Sequence, residues 1–354
     1  MSSFFIDSFL FNKYVYLIFS FTLLLVSLFW NQIFGILNLK KYNAIQKIHE
    51  NETPRLGGFL IYVSLFFVYF FDIQNEQFMN AILISSLPTM VIAVKEDFYH
   101  NTSPTLRLLS MFLSIFIFIY IFKLDFPSID IFNIFNIKSN IFYMLFYSFS
   151  IIVFMNGCNL IDGLNGLLGF SLVSQLLTLI LLSFNIESYS LLPALYVVLI
   201  FLLIFLIFNF IFGKLFMGDF GAYFFGFLIS ILTIQFFNEN SNYPTWLAVL
   251  ILIYPCFELL FSFFRKKYIG ISPFEPDQYH LHYLMLRVVR QSISSPFVSN
   301  SVTTIALIIF WIFPFIFVSI VNVYNAYLII LGIVIFCLIY LIAYLIFKKI
   351  TFLV

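Results

Sequence analysis

Long apolar runs divide the sequence and leave few folds open to it. A membrane-spanning helix needs about 20 mostly apolar residues. About eleven apolar runs in the sequence approach or reach that length. They lie at 14–37, 58–72, 79–94, 106–123, 141–155, 167–183, 189–208, 222–237, 244–264, 302–320 and 325–347. Membrane β-strands alternate apolar and polar residues over about ten positions, and these runs do not alternate. The sequence therefore predicts an all-α, polytopic integral membrane protein in which residues 1–354 form a single transmembrane domain.

Lys and Arg are sorted unevenly between the two sets of loops that alternate along eleven spans. One set holds only Lys13, Lys123 and Lys138, and the other holds the rest of the 17 Lys and Arg residues. Because cytoplasmic loops carry the excess of positive charge, we expect the second set to face the cytoplasm and the N-terminus to lie outside. All the polar clusters described below fall on that cytoplasmic side.

Two polar clusters precede the second and fourth spans. The segment "KIHENETPRLGG", residues 47–58, places Lys47 and Arg55 before a turn and a span, and a structural turn is the alternative interpretation. The segment "KEDFYHNTSPTLRLL", residues 95–109, puts Glu96 and Asp97 side by side at the end of the third span. Adjacent carboxylates at a membrane interface need a cation or a base to offset their charge, although an incidental pair in a loop is also open.

The segment "NGCNLIDGLNGL", residues 156–167, concentrates amides and a carboxylate between two apolar runs. Asn156 and Asn159 are three residues apart, as are Asp162 and Asn165, a spacing that lines one face of a helix. Buried amides and carboxylates require partners, so the segment is a candidate site. Helix packing or capping is the alternative.

The segment "FMGDFGAYFFGF", residues 216–227, follows Asn209 and delivers Phe216 and Asp219 to the start of a span. Gly218 and Gly221 flank the aspartate, as a metal or phosphate approached by the backbone would require. A helix N-cap at Asp219 is compatible with that interpretation.

The last cluster lies in residues 265–300, which we predict to be the long cytoplasmic loop. It carries His280 and His282, which are too close in sequence to share a helix face but can converge in a turn or at a helix start. Two neutral imidazoles bind metal ions, and two cationic ones bind diphosphate. A chance pair at the surface is the alternative.

Together these clusters resemble the motifs of the polyprenyl-phosphate N-acetylhexosamine-1-phosphate transferases, the family that includes phospho-N-acetylmuramoyl-pentapeptide transferase. The resemblance rests on residues 47–58, 95–109, 156–167, 216–227 and 272–284, in the family's order. It implies transfer of a sugar 1-phosphate from a UDP-N-acetylhexosamine to undecaprenyl phosphate, with release of UMP, to start a lipid-linked surface glycan. The expected setting is a bacterial plasma membrane. We expect membrane lipids but no nucleic acid as further partners, and the sequence is compatible with a homodimer.

The resemblance also implies roles for single residues. Glu96, Asp97 and Asp162 would be catalytic, and Asp219 would hold Mg²⁺. The residues expected to bind the two substrates are Lys47, Arg55, Asn156, Asn159, Asn165, Asn209, Phe216, His280 and His282.

Two other classes of protein stay open. A transporter or flippase of lipid-linked sugars has the same composition, but transporters place polar groups near the middle of the bilayer. Here only Glu258 lies well inside a predicted span, which favours chemistry at the interface. A non-catalytic membrane homologue is the third reading, because Glu96, Asn165 and Tyr283 stand where many members of the family have Asp, Asp and His.

Overall fold

The computed structural model describes residues 14–26, 28–29, 53–70, 77–123, 125–128, 140–273, 275 and 277–352. Every regular element in these residues is helical, which confirms the all-α prediction. In chain order the helices are α1 Tyr14–Val26, α2 Gly57–Phe70, α3 Gln77–Tyr99, α4 Pro104–Phe122, α5 Asn140–Ile161, α6 Leu167–Asn185, α7 Leu192–Leu206, α8 Gly218–Glu239, α9 Trp246–Ile251, α10 Ile253–Tyr268, α11 Leu281–Ser292, α12 Pro296–Ala306, α13 Ile308–Trp311, α14 Phe313–Ile320 and α15 Ala326–Phe352. A π-helical turn, Ile207–Ile211, extends α7.

Seven helices in the described part of the chain are long and apolar enough to cross a membrane. They are α3, α4, α5, α6, α7 with its π-helical turn, α8 and α15. Exposed apolar side chains such as Phe116, Tyr120 and Leu345 stand on these helices, where lipid rather than water is the favourable environment. The protein is therefore a multi-pass membrane protein, while the predicted number of eleven spans is not confirmed.

Two predicted spans are interrupted helices. The run 244–264 is divided at Leu252, and the run 302–320 is divided at Leu307 and Ile312. Proline has no N–H and its ring clashes with the carbonyl four residues earlier. Pro255 and Pro314 follow the breaks at Leu252 and Ile312, which explains two of the three interruptions. The expectation of one continuous helix in each run was therefore wrong.

The chain divides into two compact units. Of the described residues, the first unit comprises 14–26, 28–29, 53–70, 77–123 and Tyr196–Phe224. In it, α3 packs along α4, and the hydroxyls of Thr89 and Ser114 lie 2.9 Å apart between the two helices. The Tyr62 hydroxyl of α2 donates to the Leu83 carbonyl of α3 at 2.8 Å. Hydrogen bonds between buried polar groups hold the helices of this unit together.

Of the described residues, the second unit comprises 125–128, 140–195, 225–273, 275 and 277–352. Its α5 packs on α10, where a Cβ on Gly157 would lie 2.3 Å from the Pro255 carbonyl oxygen. Its α11 packs on α12 and α15. The segment 265–300, predicted as a cytoplasmic loop between spans, contains the whole of α11, and its position relative to the membrane stays a prediction.

Candidate functional site

A buried carboxylate organises the first unit. Asp97, near the end of α3, accepts hydrogen bonds from the backbone N–H groups of Asp219 and Phe220, each at 2.9 Å. These N–H groups open α8 and have no partner within that helix, and a negative charge at a helix N-terminus is favourable. Only 4% of the Asp97 side chain is exposed. Asp97 therefore fixes the start of α8 and the backbone that carries Asp219.

Gly218 makes this contact feasible. Its φ is +79°, a conformation that favours glycine. A Cβ there would lie 2.9 and 3.1 Å from the carboxylate oxygens of Asp97 and 2.6 Å from the carbonyl oxygen of Arg55. The glycine predicted to permit close approach thus admits a carboxylate of the chain itself.

Two arginines face the carboxylates of Asp97 and Asp219. The Nη1 atom of Arg55 lies 4.0 Å from Asp97 Oδ1 and 3.9 Å from Asp219 Oδ1. The Nη1 atom of Arg107 lies 3.6 Å from Asp219 Oδ2 and 3.5 Å from the hydroxyl of Tyr223. These separations exceed the roughly 2.7–2.9 Å of a charge-assisted hydrogen bond. The cluster of two acids and two guanidinium groups is thus only loosely paired.

A backbone ladder places Arg55 in this cluster. The N–H of Phe216 donates to the Pro54 carbonyl at 2.8 Å, the N–H of Gly57 to the Phe216 carbonyl at 2.9 Å, and the N–H of Gly58 to the Met217 carbonyl at 3.0 Å. The segment before α2 is thereby joined to the segment before α8. The turn expected around Arg55 therefore has a structural role, joining the two segments, and also places the Arg55 guanidinium in the cluster.

Glu96 has different partners from its neighbour Asp97. Its Oε2 atom accepts hydrogen bonds from the backbone N–H of Thr102, at 2.9 Å, and from the Thr102 hydroxyl. These bonds close the connection to α4, whose N-cap is Ser103 and whose first residue is Pro104. Ser103 followed by Pro104 is a local pattern that favours a helix start, and the catalytic role of Glu96 stays a prediction.

Asn209 and Phe216 lie in the same unit. The buried amide of Asn209, in the π-helical turn, donates to the Leu215 carbonyl at 2.7 Å. Phe216 is half-buried and takes part in the ladder through its backbone. Asn209 thus fixes the loop that presents Phe216, and nucleotide binding by the two residues stays a prediction.

The two histidines of the last cluster meet at the start of α11, in the second unit. His280 is the N-cap residue, and its ring stacks on that of His282 with centroids 5.6 Å apart. Convergence at a helix start is therefore confirmed. His280 Nδ1 lies 3.1 Å from Glu258 Oε1, and its Nε2 lies 3.4 Å from Asp277 Oδ1. Asp277 also accepts from Arg265 at 2.9 Å.

His282 is fully buried, and neither ring nitrogen has a hydrogen-bond partner among the described residues. A Cβ on Gly163 would lie 3.4 Å from its Nε2 and 2.9 Å from the hydroxyl of Tyr283. Burial lowers the pKa of His282 to about 3, because desolvation disfavours the charged form. His282 is therefore neutral near pH 7 and is suited to hydrogen bonding rather than to pairing with an anion.

Because the His282 imidazole is buried, we expect the stability of the protein to fall in acid. The unfolded chain takes up the His282 proton near pH 6.5, whereas the folded chain does so only near pH 3. Between these values the unfolded state binds more protons, so stability falls as pH falls, by up to about 1.4 kcal/mol per pH unit from this group. We expect His282→Asn to flatten the pH dependence of the thermal unfolding midpoint between pH 6.5 and 4.5. Parallel curves for the variant and the unsubstituted chain would contradict this assignment.

The segment 156–167 is only partly helical. Asn156 and Asn159 lie in α5, and the side-chain amide of Asn156 donates to the Ile152 carbonyl at 2.8 Å. Because α5 ends at Ile161, the predicted helix face shared by Asp162 and Asn165 was wrong. The two residues lie in the turn before α6, which begins after Gly166 at φ +80°.

The Asn165 turn is held by α12. The backbone N–H of Asn165 donates to the Asn300 side chain at 3.2 Å, and its carbonyl accepts from Thr304 at 2.7 Å. The side-chain amide of Asn165 is fully buried, with no hydrogen-bond partner among the described residues. Its predicted substrate contact remains untested.

Lys47 lies outside the described residues. Arg107, Tyr223, Asp277 and Tyr340 belong to the two clusters but were not among the predicted site residues. Arg107 lies ten positions after Asp97 in the quoted segment, and Asp277 lies three before His280. These short spacings could have identified Arg107 and Asp277 from the sequence. Tyr223 and Tyr340 cannot be told from the other aromatic residues of a membrane span.

The carboxylates of Asp97 and Asp219 fit an Mg²⁺ ion that is also bound by substrate phosphates better than one bound by protein groups alone. No group of three or more His, Cys, Asp or Glu side chains in the described ranges is arranged to hold a metal. Mg²⁺ is usually bound through one or two carboxylates together with waters and substrate phosphates. Asp219 supplies one such carboxylate. Asp97 lies nearby, because a single Arg55 nitrogen is within 4.0 Å of a carboxylate oxygen of each.

Comparison with known proteins identifies similar sequences. Residues 79–237 match the model of "Glycosyl transferase family 4". The chain is 26% identical over 243 residues, 68% of each chain, to a probable undecaprenyl-phosphate N-acetylglucosaminyl 1-phosphate transferase of Bacillus subtilis. It is 24% identical over 246 residues, 69% of this chain and 72% of the relative, to the undecaprenyl-phosphate alpha-N-acetylglucosaminyl 1-phosphate transferase of Thermotoga maritima. A phospho-N-acetylmuramoyl-pentapeptide-transferase of Streptococcus agalactiae is 26% identical over 226 residues, 57% of this chain and 67% of the relative.

Proposed function

Since the chain belongs to glycosyl transferase family 4 through residues 79–237, we propose that it transfers an N-acetylhexosamine 1-phosphate from a UDP-sugar to undecaprenyl phosphate, releasing UMP. The names of its relatives support undecaprenyl phosphate as the acceptor of a sugar 1-phosphate, and we propose that the product starts a lipid-linked glycan. The UDP-sugar donor is implied by the resemblance of the motifs, and the need for Mg²⁺ by that resemblance together with the carboxylates of the site.

The arrangement of Asp97, Asp219, Arg55 and Arg107 is the observation that supports this chemistry most directly. Phosphoryl transfer requires little more of a protein than positioning two anions and stabilising the charge on the transferred group. Arg55 and Arg107 offer guanidinium groups suited to phosphate oxygens, and Asp219 offers a carboxylate suited to Mg²⁺. The four residues lie within one compact unit and largely within the range that matches the family.

The residues of the cluster would divide the work. Asp219 would hold Mg²⁺, which when bound would neutralise charge on the donor diphosphate. Asp97 would hold the first turn of α8 and therefore the position of Asp219, because both of its carboxylate oxygens accept backbone hydrogen bonds. Arg55 and Arg107 would orient the phosphates. Proton acceptance by Asp97 and the catalytic role of Asp162 stay predictions.

We place the protein in the bacterial plasma membrane with the site facing the cytoplasm and the N-terminus outside. The unequal distribution of Lys and Arg between the loops supports this orientation. Cysteine labelling at Lys123 and Lys267 with a membrane-impermeant reagent in intact cells tests it. Labelling of Lys267→Cys without labelling of Lys123→Cys would overturn the orientation.

Crosslinking in the membrane would test for a homodimer.

The proposed activity is tested by measuring UMP release. Purified protein in detergent receives undecaprenyl phosphate and one member of a panel of UDP-N-acetylsugars, with Mg²⁺ or with a chelator. We expect UMP only when the lipid, one sugar donor and the metal are all present. Movement of a lipid-linked sugar across vesicles without UMP release would support the transporter instead. Binding of the UDP-sugar without release would support a non-catalytic homologue.

Arg107→Gln is expected to lower kcat/KM about tenfold to a hundredfold. A hydrogen bond from the guanidinium to a substrate phosphate would contribute about 1.5–3 kcal/mol, as bonds to charged groups do. Glutamine keeps polarity but removes the charge, which in this structure faces Asp219 at 3.6 Å. The measurement is UMP release over a range of UDP-sugar concentrations. Arg290→Gln, the same exchange at an exposed arginine of α11, is the control and should retain the kcat/KM of the unsubstituted chain. Equal kcat/KM in the two variants would remove Arg107 from the site.

A further inference from the structure

Glu258 is a fully buried carboxylate to which none of the assigned roles applies. It lies in α10, in the second unit, and its side chain has no exposed surface. Glutamate is almost never fully buried unless it is paired, because removing a charge from water is costly without compensating contacts. Its retention inside an apolar bundle calls for a physical explanation.

Three groups surround the carboxylate and use both of its oxygens. Oε1 lies 3.1 Å from Nδ1 of His280 and accepts from the backbone N–H of Leu281 at 3.3 Å. Oε2 accepts from the hydroxyl of Tyr340, in α15, at 2.7 Å. Two of the three partners therefore belong to the start of α11, where the two histidines meet, and the third comes from the C-terminal helix.

This geometry determines how His280 presents its ring. A carboxylate can only accept at Nδ1, so Nδ1 carries a proton and points to Glu258. The opposite edge, Nε2, lies 3.4 Å from Asp277 Oδ1, a longer contact. A histidine whose one nitrogen is held by a carboxylate has its orientation and tautomer set by that bond, as in metal sites and catalytic triads. Nε2 is thus the edge that can exchange its partner for a ligand.

A contribution to packing alone would not need this arrangement. An apolar residue at position 258 would fill the same space without the cost of a buried charge. Tyr254 lies one turn earlier in α10, and its buried hydroxyl has no hydrogen-bond partner among the described residues. The Glu258 carboxylate therefore does not serve to pair with this neighbouring polar group. The carboxylate is directed instead at a residue predicted to contact substrate and at the N-terminus of the helix that carries its neighbour His282.

We propose that Glu258 is a positioning residue which, braced by the Tyr340 hydroxyl, holds Nδ1 of His280 so that Nε2 is presented to the phosphate-bearing substrate. This inference rests on the proposed function for the identity of the substrate. The contact between Glu258 and His280 can nevertheless be measured without any substrate.

The test combines histidine ¹⁵N NMR with kinetics on the full chain in lipid. The chain has only four histidines, so labelled imidazole signals are few, and the signals of His280 are assigned by their loss in His280→Asn. The unsubstituted chain should show a protonated Nδ1 on His280. Glu258→Leu should shift His280 toward the tautomer protonated at Nε2, and Glu258→Gln should give a smaller shift because it retains an acceptor oxygen.

The kinetic expectation follows from the loss of orientation. Removing a residue that orients a metal-binding histidine typically costs about tenfold to a hundredfold in affinity or activity, and we take the same range for a histidine that binds substrate. We expect that fall in kcat for Glu258→Leu, a smaller fall for Glu258→Gln and for Tyr340→Phe, and none for the control Tyr254→Phe. If Glu258→Leu does not fold, the Gln and Phe variants carry the same test.

The outcomes separate this inference from the proposed function. An unchanged His280 tautomer in folded Glu258→Leu and Glu258→Gln would overturn the inference, and so would a shifted tautomer with unchanged kcat. Absence of UMP release from the unsubstituted chain would overturn the proposed function. The NMR result would then still decide whether Glu258 orients His280.

Discussion

Asp219→Asn is expected to reduce UMP release by about a hundredfold to a thousandfold, the loss typical of removing a preorganised group that stabilises charge in a transition state. The carboxylate is 14% exposed and faces Arg55 and Arg107 at 3.9 and 3.6 Å. Asparagine preserves its shape but removes the charge that Mg²⁺ prefers. The backbone N–H of residue 219 would still donate to Asp97, so we expect the variant to fold. The measurements are UMP release and the thermal unfolding midpoint of the same preparation.

Asp125→Asn is the matched control, since it makes the same chemical change at an exposed aspartate outside the cluster. It should release UMP at the rate of the unsubstituted chain. A direct measurement of Mn²⁺ binding by electron paramagnetic resonance adds a result that does not depend on turnover. Near-normal UMP release, or unchanged Mn²⁺ affinity, in folded Asp219→Asn would remove the metal-binding role from this residue.

Gly58→Ala is expected to destabilise the first unit by about 3 kcal/mol or more, at the upper end of the cost of overpacking. A Cβ there would lie 2.0 Å from Cα and 2.4 Å from N of Gly221, and 2.9 Å from the Met217 carbonyl oxygen. All three are backbone atoms, which cannot rotate away as a side chain can. Separation of α2 from α8 would also break the ladder that positions Arg55. We therefore expect a large loss of folded protein, measured as monodisperse yield and thermal unfolding midpoint in detergent.

Gly270→Ala is the control for this exchange. Apart from its two chain neighbours, no heavy atom of the described residues lies within 4 Å of a Cβ at that position, although its φ of +76° favours glycine. The expected cost is about 1 kcal/mol, from backbone conformation alone. Equal stability of the two variants would show that α2 and α8 can separate at little cost, contrary to the close contact of Gly58 with Gly221.

Local sequence signals are sufficient where the determining interaction is short in range. Ser103 and Pro104 begin α4, and His280 begins α11, because caps depend on residues within one turn of the helix. The same logic failed at Asp162 and Asn165, where the three-residue spacing continued past the end of α5. Spacing describes a helix face only while the helix lasts, and the chain leaves α5 for a turn that Asn300 and Thr304 hold from a distant segment.

The partners of the acidic residues could not be read from the chain. Glu96 and Asp97 are neighbours, yet one bonds to Thr102 in its own connection and the other to the start of α8, 122 residues away. Glu258 and Tyr340 are 82 residues apart. Residue type and order predict which groups carry charge, whereas the packing of distant helices decides which groups touch.

The sequence by itself determined that the chain is helical and membrane-embedded, because long apolar runs bury their backbone polar groups favourably only as helices in lipid. It also determined the kinds of side chain available for the site. Only the tertiary structure decided that Asp97 caps α8, that Gly58 meets Gly221 and that Glu258 holds His280. Each of these contacts joins segments far apart in the chain, and their geometry follows from close packing and the satisfaction of buried polar groups, which no local pattern encodes.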